Sequence, residues 1–430
     1  MNQIKVVNGF RKEPLREGSL PQQTKTFFGR GRGRRCGVGE RGMMLLLHGA
    51  GEGGGIHEGG GRGDEGMDRD GYQDLETEIK SWQPEDRNSG VFCSYAADNS
   101  DLIPKSEKWE LKDEIKCVVG KVFNSSRIDA LLVQYWAPIT TDGEAILTTQ
   151  NQPFALSKIY KGLCWYRMIS KHYKFYVDGG ATEQQLGLPG RVFKHQLVES
   201  SPNVEYYSNK EYPQLEHALS CQIRSALALP VFEPADHTCV GVLELLFTTR
   251  DAFLIFLEEA CAYDAFLGLD LKCLNPWEHP FMEIQDKNEA ALRDEILDVL
   301  KLVLEVHPLP LAQIWRTCRV CRSLFNNGVF GLSRMSGLSY LMEENGEIFL
   351  RACGHHHLRM GMAVVGTALK SLNLVFCADV TQFSITEYPM THYAREFGLS
   401  GCGCFSVRGP VSFYLGTGKT WHLIEVLPSF

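Results

Sequence analysis

This 430-residue sequence contains an internal repeat, which limits the possible folds more than any other feature. Four segments recur in the same order, with offsets of 181, 179, 176 and 176 residues: Leu111–Ile115 and Leu292–Ile296, Val133–Trp136 and Ala312–Trp315, Gly190 and Gly366, Glu211–Pro213 and Glu387–Pro389. A unit of this length is too long for a solenoid repeat. The recurrence therefore predicts two homologous domains, each of roughly 150 residues, which is a usual domain size.

Both copies have the same predicted order of secondary structure. A helix opens the second copy, with apolar residues at three- and four-residue spacing: Leu292, Ile296, Val299, Leu300, Val303 and Leu304. Strands follow, at Ala130–Ala137, Ala226–Phe232 and Val240–Thr248 in the first copy and at Leu311–Arg316, Gly403–Val407 and Trp421–Val426 in the second. Consecutive strands with few crossovers predict an antiparallel α+β fold. Helices on one face of each sheet would leave a concave pocket for a small ligand on the other.

The N-terminal quarter of the chain has a different composition. Seventeen of the 42 glycines fall between Gly29 and Gly71, and the formal charge is +7 over residues 1–43 and −7 over residues 52–78. Such tracts bury too little apolar surface to offset chain entropy, so we predict a disordered tail at 1–104, before domains at 105–272 and 285–430. The Gly-Arg run at 29–35 could contact RNA or serve nuclear import, although a solvated tail is the simpler interpretation.

Composition excludes several classes of protein. A hydrophobic share of 44% excludes a fully disordered chain, and a net charge of −8 argues against nucleic-acid phosphate as the main partner. No apolar run reaches the roughly 18 residues that a membrane span needs. Without a signal peptide, the 14 cysteines are expected to be reduced thiols in a soluble intracellular protein.

Two cysteine pairs raise the question of zinc. Structural zinc needs two properly spaced pairs on turns, whereas Cys402 and Cys404 fall in a predicted core strand, so we interpret them and the Cys318/Cys321 pair as buried thiols. We therefore predict no metal and no cofactor. The run Gly416–Thr420 lacks the first glycine of a phosphate-binding loop and predicts a hairpin turn. No nucleophile–base set stands out, so no enzymatic activity is predicted.

Longer motifs carry a family resemblance. They are, in chain order, Leu147–Thr149 with Gln152–Phe154, Gly187–Phe193, Asn203–Ser208, Ala228–Phe232, Asp379–Phe383 and Thr386–Pro389. Together they resemble the N-terminal half of plant NIN-like transcription factors. The resemblance implies two GAF-like domains, a nuclear location with nitrate-dependent shuttling from the cytoplasm, and control of nitrate-responsive gene expression. It also implies association with related transcription factors and regulation by a protein kinase.

The family's DNA-binding RWP-RK segment and its C-terminal ubiquitin-like domain have no match in the sequence. We therefore expect a truncated member that does not itself bind DNA. Two alternatives remain open. The chain could be a decoy that pairs with full-length relatives without sensing anything, or a GAF-like module for another small ligand such as a cyclic nucleotide.

The resemblance implies nitrate binding in the second domain, at residues matching the family's binding motif: His356, Leu358 and Tyr388. If Cys353–Met360 is a strand, His356 and Leu358 face the same side. An imidazole and a phenol can donate to the nitrate oxygens. Glu347 and His355 depart from the family pattern, and an extra carboxylate at 347 would repel an anion. The alternative is that the histidines are surface residues on an edge strand.

The resemblance also implies a regulatory phosphorylation site at Ser208, within a polar stretch of sequence. A phosphate there would add up to two negative charges, which Lys210 or Arg191 could pair. The alternative is an ordinary loop serine.

Overall fold

The computed structural model describes residues 107–273 and 346–408, apart from short gaps at 129, 142, 157–159, 178–179, 234–237, 268 and 270. It also describes 4–7, 91–92, 309–318, 331–341, 421–427 and isolated positions between 294 and 305. Residues 274–284, between the two predicted domains, and the turn predicted at Gly416–Thr420 lie outside the described residues. We call residues 107–273 the first repeat and residues 309–427 the second repeat.

The first repeat alternates helices with short and long strands. Its helices are α1 (Glu107–Ser125), α2 (Lys161–Ser170), α3 (Glu183–His195), α4 (Leu215–Ser220) and α5 (Ala252–Ala265). Its strands are β3 (Leu131–Thr141), β4 (Glu144–Thr148), β5 (Phe154–Leu156), β6 (Phe175–Tyr176), β7 (Glu199–Ser201), β8 (Ser225–Phe232), β9 (Cys239–Phe247) and β10 (Lys272–Cys273). Strand β2 (Val91–Phe92) pairs with β5.

The first sheet is antiparallel, with the strand order β10-β8-β9-β3-β4-β6 along its main path. Strand β5 also pairs with β3, and β7 with β8. The register places Gln134 of β3 opposite Glu244 of β9. Both residues are fully buried. Polar side chains therefore enter the centre of the sheet, where they require hydrogen-bond partners.

Helices cover both faces of this sheet, so the prediction of an open concave face is wrong for the first repeat. Alternate residues such as Val133 and Leu245 pack in one apolar cluster with residues of α1 and α5. On the other face, Arg167 of α2 donates to Gln134 Oε1 at 3.0 Å. Helix α3 packs on the same sheet. Arg167 and Ser170 of α2 are thus partners of the buried Gln134 amide, whereas the Glu244 carboxylate accepts from Gln134 and from the Trp136 indole of β3.

The second repeat has the same kind of architecture. Its strands are β11 (Leu311–Thr317), β12 (Gly331–Leu341), β13 (Leu358–Arg359), β14 (Leu374–Cys377), β15 (Cys402–Arg408) and β16 (Trp421–Leu427). Its helices are α6 (Gly346–His355), α7 (Ala363–Ser371) and α8 (Thr391–Glu396). The antiparallel sheet has the order β1-β14-β15-β16-β11-β12-β13, in which β1 is Ile4–Val7.

The six strands predicted from sequence are confirmed, within one residue at most ends and within four at the end of β3. The recurring Trp136 and Trp315 are both fully buried, and so are Cys402 and Cys404. In the helix predicted over 292–304, the described positions 294, 297, 298 and 300–302 are helical. The α+β class is thereby confirmed.

Two predictions fail locally. Within the segment expected to be a disordered tail, Ile4–Val7 is a strand on β14, because β-branched residues at alternate positions suit a sheet edge. Most of residues 353–360, expected to form a strand, lies in α6 and the turn after it. Ile348, Phe349, Ala352 and Cys353 follow three- and four-residue spacing, which buries one face of a helix.

Helix α5 connects the two repeats. Its residues Ile255 and Tyr263 pack with the first sheet, whereas Ala252 and Phe256 belong to the apolar cluster of the second repeat. Phe253 is 40% exposed, so the helix buries two of its sides and leaves a third to solvent. Its position also buries Glu258 and Glu259 completely. Among the described residues, no helix is both long and apolar enough to cross a membrane.

The recurring glycines Gly190 and Gly366 differ in their surroundings, which allows a matched test. A Cβ on Gly366 would collide with the Arg359 carbonyl oxygen and lie 2.9 Å from the Gly361 nitrogen, both backbone atoms. A Cβ on Gly190 meets only the Leu186 and Phe175 side chains, at 3.3 Å or more. We expect Gly366→Ala to destabilise the fold by about 1–3 kcal/mol. Gly190→Ala should stay within about 1 kcal/mol of the parent, since alanine favours a helix.

Urea unfolding of both variants measures this difference. Equal losses from the two substitutions would contradict the backbone contact at Gly366.

Candidate functional site

The three residues expected to bind nitrate are buried in the second repeat. His356 is 1% exposed, and Leu358 and Tyr388 are fully buried. Leu358 and Tyr388 belong to one apolar cluster, and the Tyr388 ring meets Phe383 edge-on at 6.1 Å. His356 adjoins this cluster through Ala352. His355, His356 and His357 are all buried, so the alternative that they are surface residues on an edge strand is wrong. They lie at the end of α6 and directly after it, on the side that packs against the rest of the fold.

His356 has hydrogen-bond partners at both ring nitrogens. Its Nδ1 lies 2.8 Å from the Ala352 carbonyl oxygen, and its Nε2 lies 3.3 Å from Ser200 Oγ. A carbonyl oxygen can only accept, so Nδ1 carries a proton and donates. Burial, more than any neighbouring charge, lowers the pKa of His356 to about 4. The imidazole is thus neutral at pH 7, and its Nε2 accepts from Ser200.

Ser200 belongs to β7 of the first repeat, so this contact joins the two repeats. Its Oγ also lies 2.7 Å from Tyr393 Oη of α8. The neighbouring Ser201 makes a parallel contact, with His392 Nδ1 2.8 Å from Ser201 Oγ. Burial, followed by the charges of Arg395 and Arg191, lowers the pKa of His392 well below its ordinary value. Two serines on one strand therefore contact two neutral histidines of the other repeat.

The two positions that depart from the family pattern have different surroundings. Glu347 is exposed at the start of α6 and accepts from Arg351 at 2.9 Å, one turn along the helix. By helical rise it lies about 13 Å from His356. Its charge is thus partnered and distant from the ring. His355 is buried, and its Nδ1 lies 2.5 Å from Glu259 Oε2 of α5.

The contact of Glu259 with His355 is a further polar contact between the repeats. Its other oxygen, Oε1, accepts from the Tyr263 hydroxyl at 2.6 Å. The His355 ring also packs on Phe256, with ring centroids 4.6 Å apart. The sequence analysis did not identify this carboxylate as a functional or structural site. The pair of adjacent acids inside an otherwise apolar helix was the available signal.

A small cavity lies where the repeats meet, close to but not lined by the three predicted residues. It has a volume of about 40 Å³ and is lined by side chains that include Arg191, His195, Arg359 and Thr386. Burial, then the charges of Arg359, Lys194 and Arg191, lowers the pKa of His195 to about 4. Glu199 also lines the cavity and accepts from Arg191, so the positive charge of that arginine is already paired there.

Ser208, the candidate phosphorylation site, is exposed and begins a tight turn. Its backbone N–H and its Oγ both donate to Glu211 Oε2, each at 2.8 Å. Glu211 Oε1 accepts from the Ile385 backbone N–H of the second repeat at 2.9 Å. The second repeat has an equivalent turn, in which the Ser384 backbone N–H and Oγ both donate to Glu387 Oε2 at 3.0 Å.

The suggestion that Arg191 would pair a phosphate on Ser208 is wrong. Arg191 is 1% exposed, and its Nε and Nη2 donate to the two oxygens of Glu199 at 2.9 and 2.6 Å. Its Nη1 donates to the Glu211 carbonyl oxygen. Because its guanidinium already donates to these partners, Arg191 is not available to a phosphate on Ser208. Lys210 stays the candidate partner for that phosphate.

The described cysteines of the second repeat do not form the zinc site that their spacing raised as a question. Cys402 and Cys404 are buried thiols in the core strand β15, as the sequence indicated. Within the part of the chain that the structure describes, no group of three or more histidines, cysteines or carboxylates is arranged to hold a metal ion.

Two α+β units, each with an antiparallel sheet flanked by helices, define a protein with paired GAF-like domains. The family profile described as NLP protein GAF domain matches the sequence twice, at residues 104–252 and 283–417. These matches cover more than half of the chain, which therefore belongs to the NLP, or NIN-like protein, family.

Individual relatives agree with this assignment. Protein NLP6 of Arabidopsis thaliana is 40% identical over 289 residues, covering 63% of this chain and 34% of the relative. Protein NLP3 of Oryza sativa subsp. japonica is 38% identical over 324 residues, covering 71% and 33%. The chain thus spans about one-third of the length of these relatives.

A solved structure titled as a putative GAF sensor protein from Burkholderia vietnamiensis also aligns. It is 12% identical, with a TM-score of 0.22, and the match covers 38% of this chain and 94% of that one.

Proposed function

We propose that this chain is the nitrate-binding regulatory region of an NLP protein, with nitrate bound in the second repeat at His356, Leu358 and Tyr388. It acts without catalysing a reaction, in the nucleus, on nitrate-responsive gene expression, and it associates with related NLP proteins. The chain shuttles between cytoplasm and nucleus with nitrate supply. The chain does not itself bind DNA.

One observation supports this proposal most. His356 is a buried imidazole beside an apolar cluster that contains Leu358 and the Tyr388 phenol. Nitrate is a flat, weakly hydrated monoanion that favours a mostly apolar cup with a few N–H and O–H donors. The partnering of Glu347 by Arg351 removes the main electrostatic objection to an anion near this histidine.

Calorimetric titration of the full chain with nitrate, against chloride, tests the proposal. Nitrate should bind more tightly than chloride, and His356→Ala should weaken nitrate binding at least tenfold, since a charge-assisted hydrogen bond contributes about 1.5–3 kcal/mol. Tyr388→Phe removes the phenol oxygen without opening a cavity and should also weaken binding. Thermal melts of each variant control for misfolding. Equal affinities for nitrate and chloride would refute nitrate sensing and leave the decoy or another ligand.

The proposal also predicts a pH dependence. Because Nδ1 donates to Ala352, His356 can offer nitrate an N–H only from a protonated Nε2. Binding then takes up a proton, since the free ring has a pKa of about 4 and the bound ring a higher one. Nitrate affinity should fall up to tenfold per pH unit between pH 6 and 8. Titrations at three pH values measure this, and a flat profile would show that the ring binds nitrate in its neutral form.

We further propose that Ser208 is phosphorylated. The phosphate would face the Glu211 carboxylate that now accepts from Ser208, so repulsion would disturb the Glu211 contact with Ile385 between the repeats. A Ser208→Asp variant should exchange the Ile385 amide hydrogen faster than the parent. Ser208→Ala, which keeps the backbone N–H bond to Glu211 and adds no charge, should leave that amide nearly unchanged. Unaltered exchange in Ser208→Asp would remove the proposed link.

A further inference from the structure

Three hydroxyl and imidazole groups form a chain of hydrogen bonds across the two repeats. Tyr393 Oη lies 2.7 Å from Ser200 Oγ, which lies 3.3 Å from His356 Nε2. The ring continues the chain from Nδ1 to the Ala352 carbonyl oxygen at 2.8 Å. All four residues are buried. Only Ser200 belongs to the first repeat.

The donor and acceptor of each hydrogen bond in this series follow from the Ala352 carbonyl oxygen at its end, which can only accept. Ala352 offers a carbonyl oxygen, so the imidazole proton sits on Nδ1 and Nε2 accepts. The Ser200 hydroxyl must then donate to Nε2. Since Ser200 has one proton, the Tyr393 hydroxyl donates to Ser200 Oγ. In this arrangement the His356 ring has no N–H to offer an anion, and Nε2 is covered by a hydroxyl.

We propose that Ser200 competes with the anion for Nε2 of His356, so that nitrate binding and this contact between the repeats exclude each other. The first repeat thereby lowers the nitrate affinity of the second, and nitrate releases one of the bonds that join them. This inference rests on the proposed nitrate site. It adds a residue of the other repeat that controls the protonation and accessibility of the binding histidine.

Other titratable groups around His356 act in both directions. Glu259 favours a positive charge on the ring, whereas the neighbouring His355 and His357 oppose it. Tyr393 stacks on Phe256 and lies 5.9 Å from the His356 ring, centroid to centroid. Removing the Ser200 hydroxyl leaves these groups in place. It takes away the donor that stabilises the unprotonated Nε2.

Replacing Ser200 with alanine in the full chain tests the competition. A net intramolecular hydrogen bond contributes about 0.5–1.5 kcal/mol, so nitrate affinity in Ser200→Ala should rise by about two- to twelvefold. Tyr393→Phe, which removes the donor to Ser200, should change affinity less. Ser201→Ala is the matched control, because Ser201 lies on the same strand but contacts His392. It should not raise nitrate affinity.

A merely structural role for Ser200 would lower the affinity or leave it unchanged, and either result would overturn the inference while the nitrate site stands. Nitrogen-15 NMR of the His356 ring gives a readout that needs no ligand. The parent should show a proton on Nδ1 alone at pH 7, and Ser200→Ala should raise the pKa of the ring. If nitrate fails to bind the parent, the proposed function falls. In that case an unchanged ring pKa in Ser200→Ala would also overturn control by Ser200.

Discussion

Replacing Arg191 by alanine is expected to lower the free energy of unfolding by about 3–5 kcal/mol, the usual cost of removing one partner of a buried ion pair. Arg191 donates to both oxygens of Glu199, and the Tyr207 hydroxyl donates to Glu199 Oε1 at 3.0 Å. Burial alone would lower the pKa of Arg191, but the Glu199 carboxylate outweighs it and raises that pKa. The substitution leaves a nearly buried carboxylate without its cation.

The Arg191→Ala effect can be measured by guanidinium unfolding followed by circular dichroism. The matched control is Arg250→Ala, which removes an arginine whose pair with Glu205 is exposed on both sides. Exposed pairs contribute at most about 1 kcal/mol, so this control should be nearly neutral. If both variants lost the same stability, the ion pair of Arg191 would have no special weight in the fold.

The second large effect is expected at Glu259. Its two oxygens contact His355 Nδ1 at 2.5 Å and the Tyr263 hydroxyl at 2.6 Å, with all three residues buried. Glu259→Ala leaves two buried polar groups without this partner, at a cost of about 1–3 kcal/mol for each group. Because the contact links α5 to α6, the two repeats should also unfold less cooperatively. Calorimetry should then show two transitions where the parent shows one.

Glu259→Gln serves as the conservative control. The amide keeps the shape and one acceptor oxygen, so it should recover part of the lost stability. An alanine variant that unfolds in one transition at the parental temperature would refute a role for Glu259 in joining the repeats.

Local sequence patterns predicted the strands well. The strands that contain Trp136 and Trp315, and the hairpin strands of both copies, have β-formers at regular spacing, so periodicity placed them closely. The same method misplaced residues 353–360. The histidine run has no clear period, and only Phe349, Ala352 and Cys353 together reveal the helix.

The candidate site divides in a similar way. The resemblance led to His356, Leu358 and Tyr388, and they prove to be buried in or beside one apolar cluster. Nothing in the sequence pointed to Ser200, which lies 156 positions before His356. Contacts between residues so far apart depend on how the two repeats pack against each other, and local periodicity contains no information about that packing.

The sequence by itself determined that the chain contains two copies of one α+β unit, because each copy encodes its own strands, turns and apolar faces through local spacing. Only the tertiary structure decided which residues of one copy contact residues of the other. Burial of α5 between the sheets brings Glu259 to His355, and β7 brings Ser200 to His356. In a low-dielectric interior these contacts determine which ring nitrogens of the two histidines carry a proton and can donate a hydrogen bond. The sequence around either histidine does not contain this information.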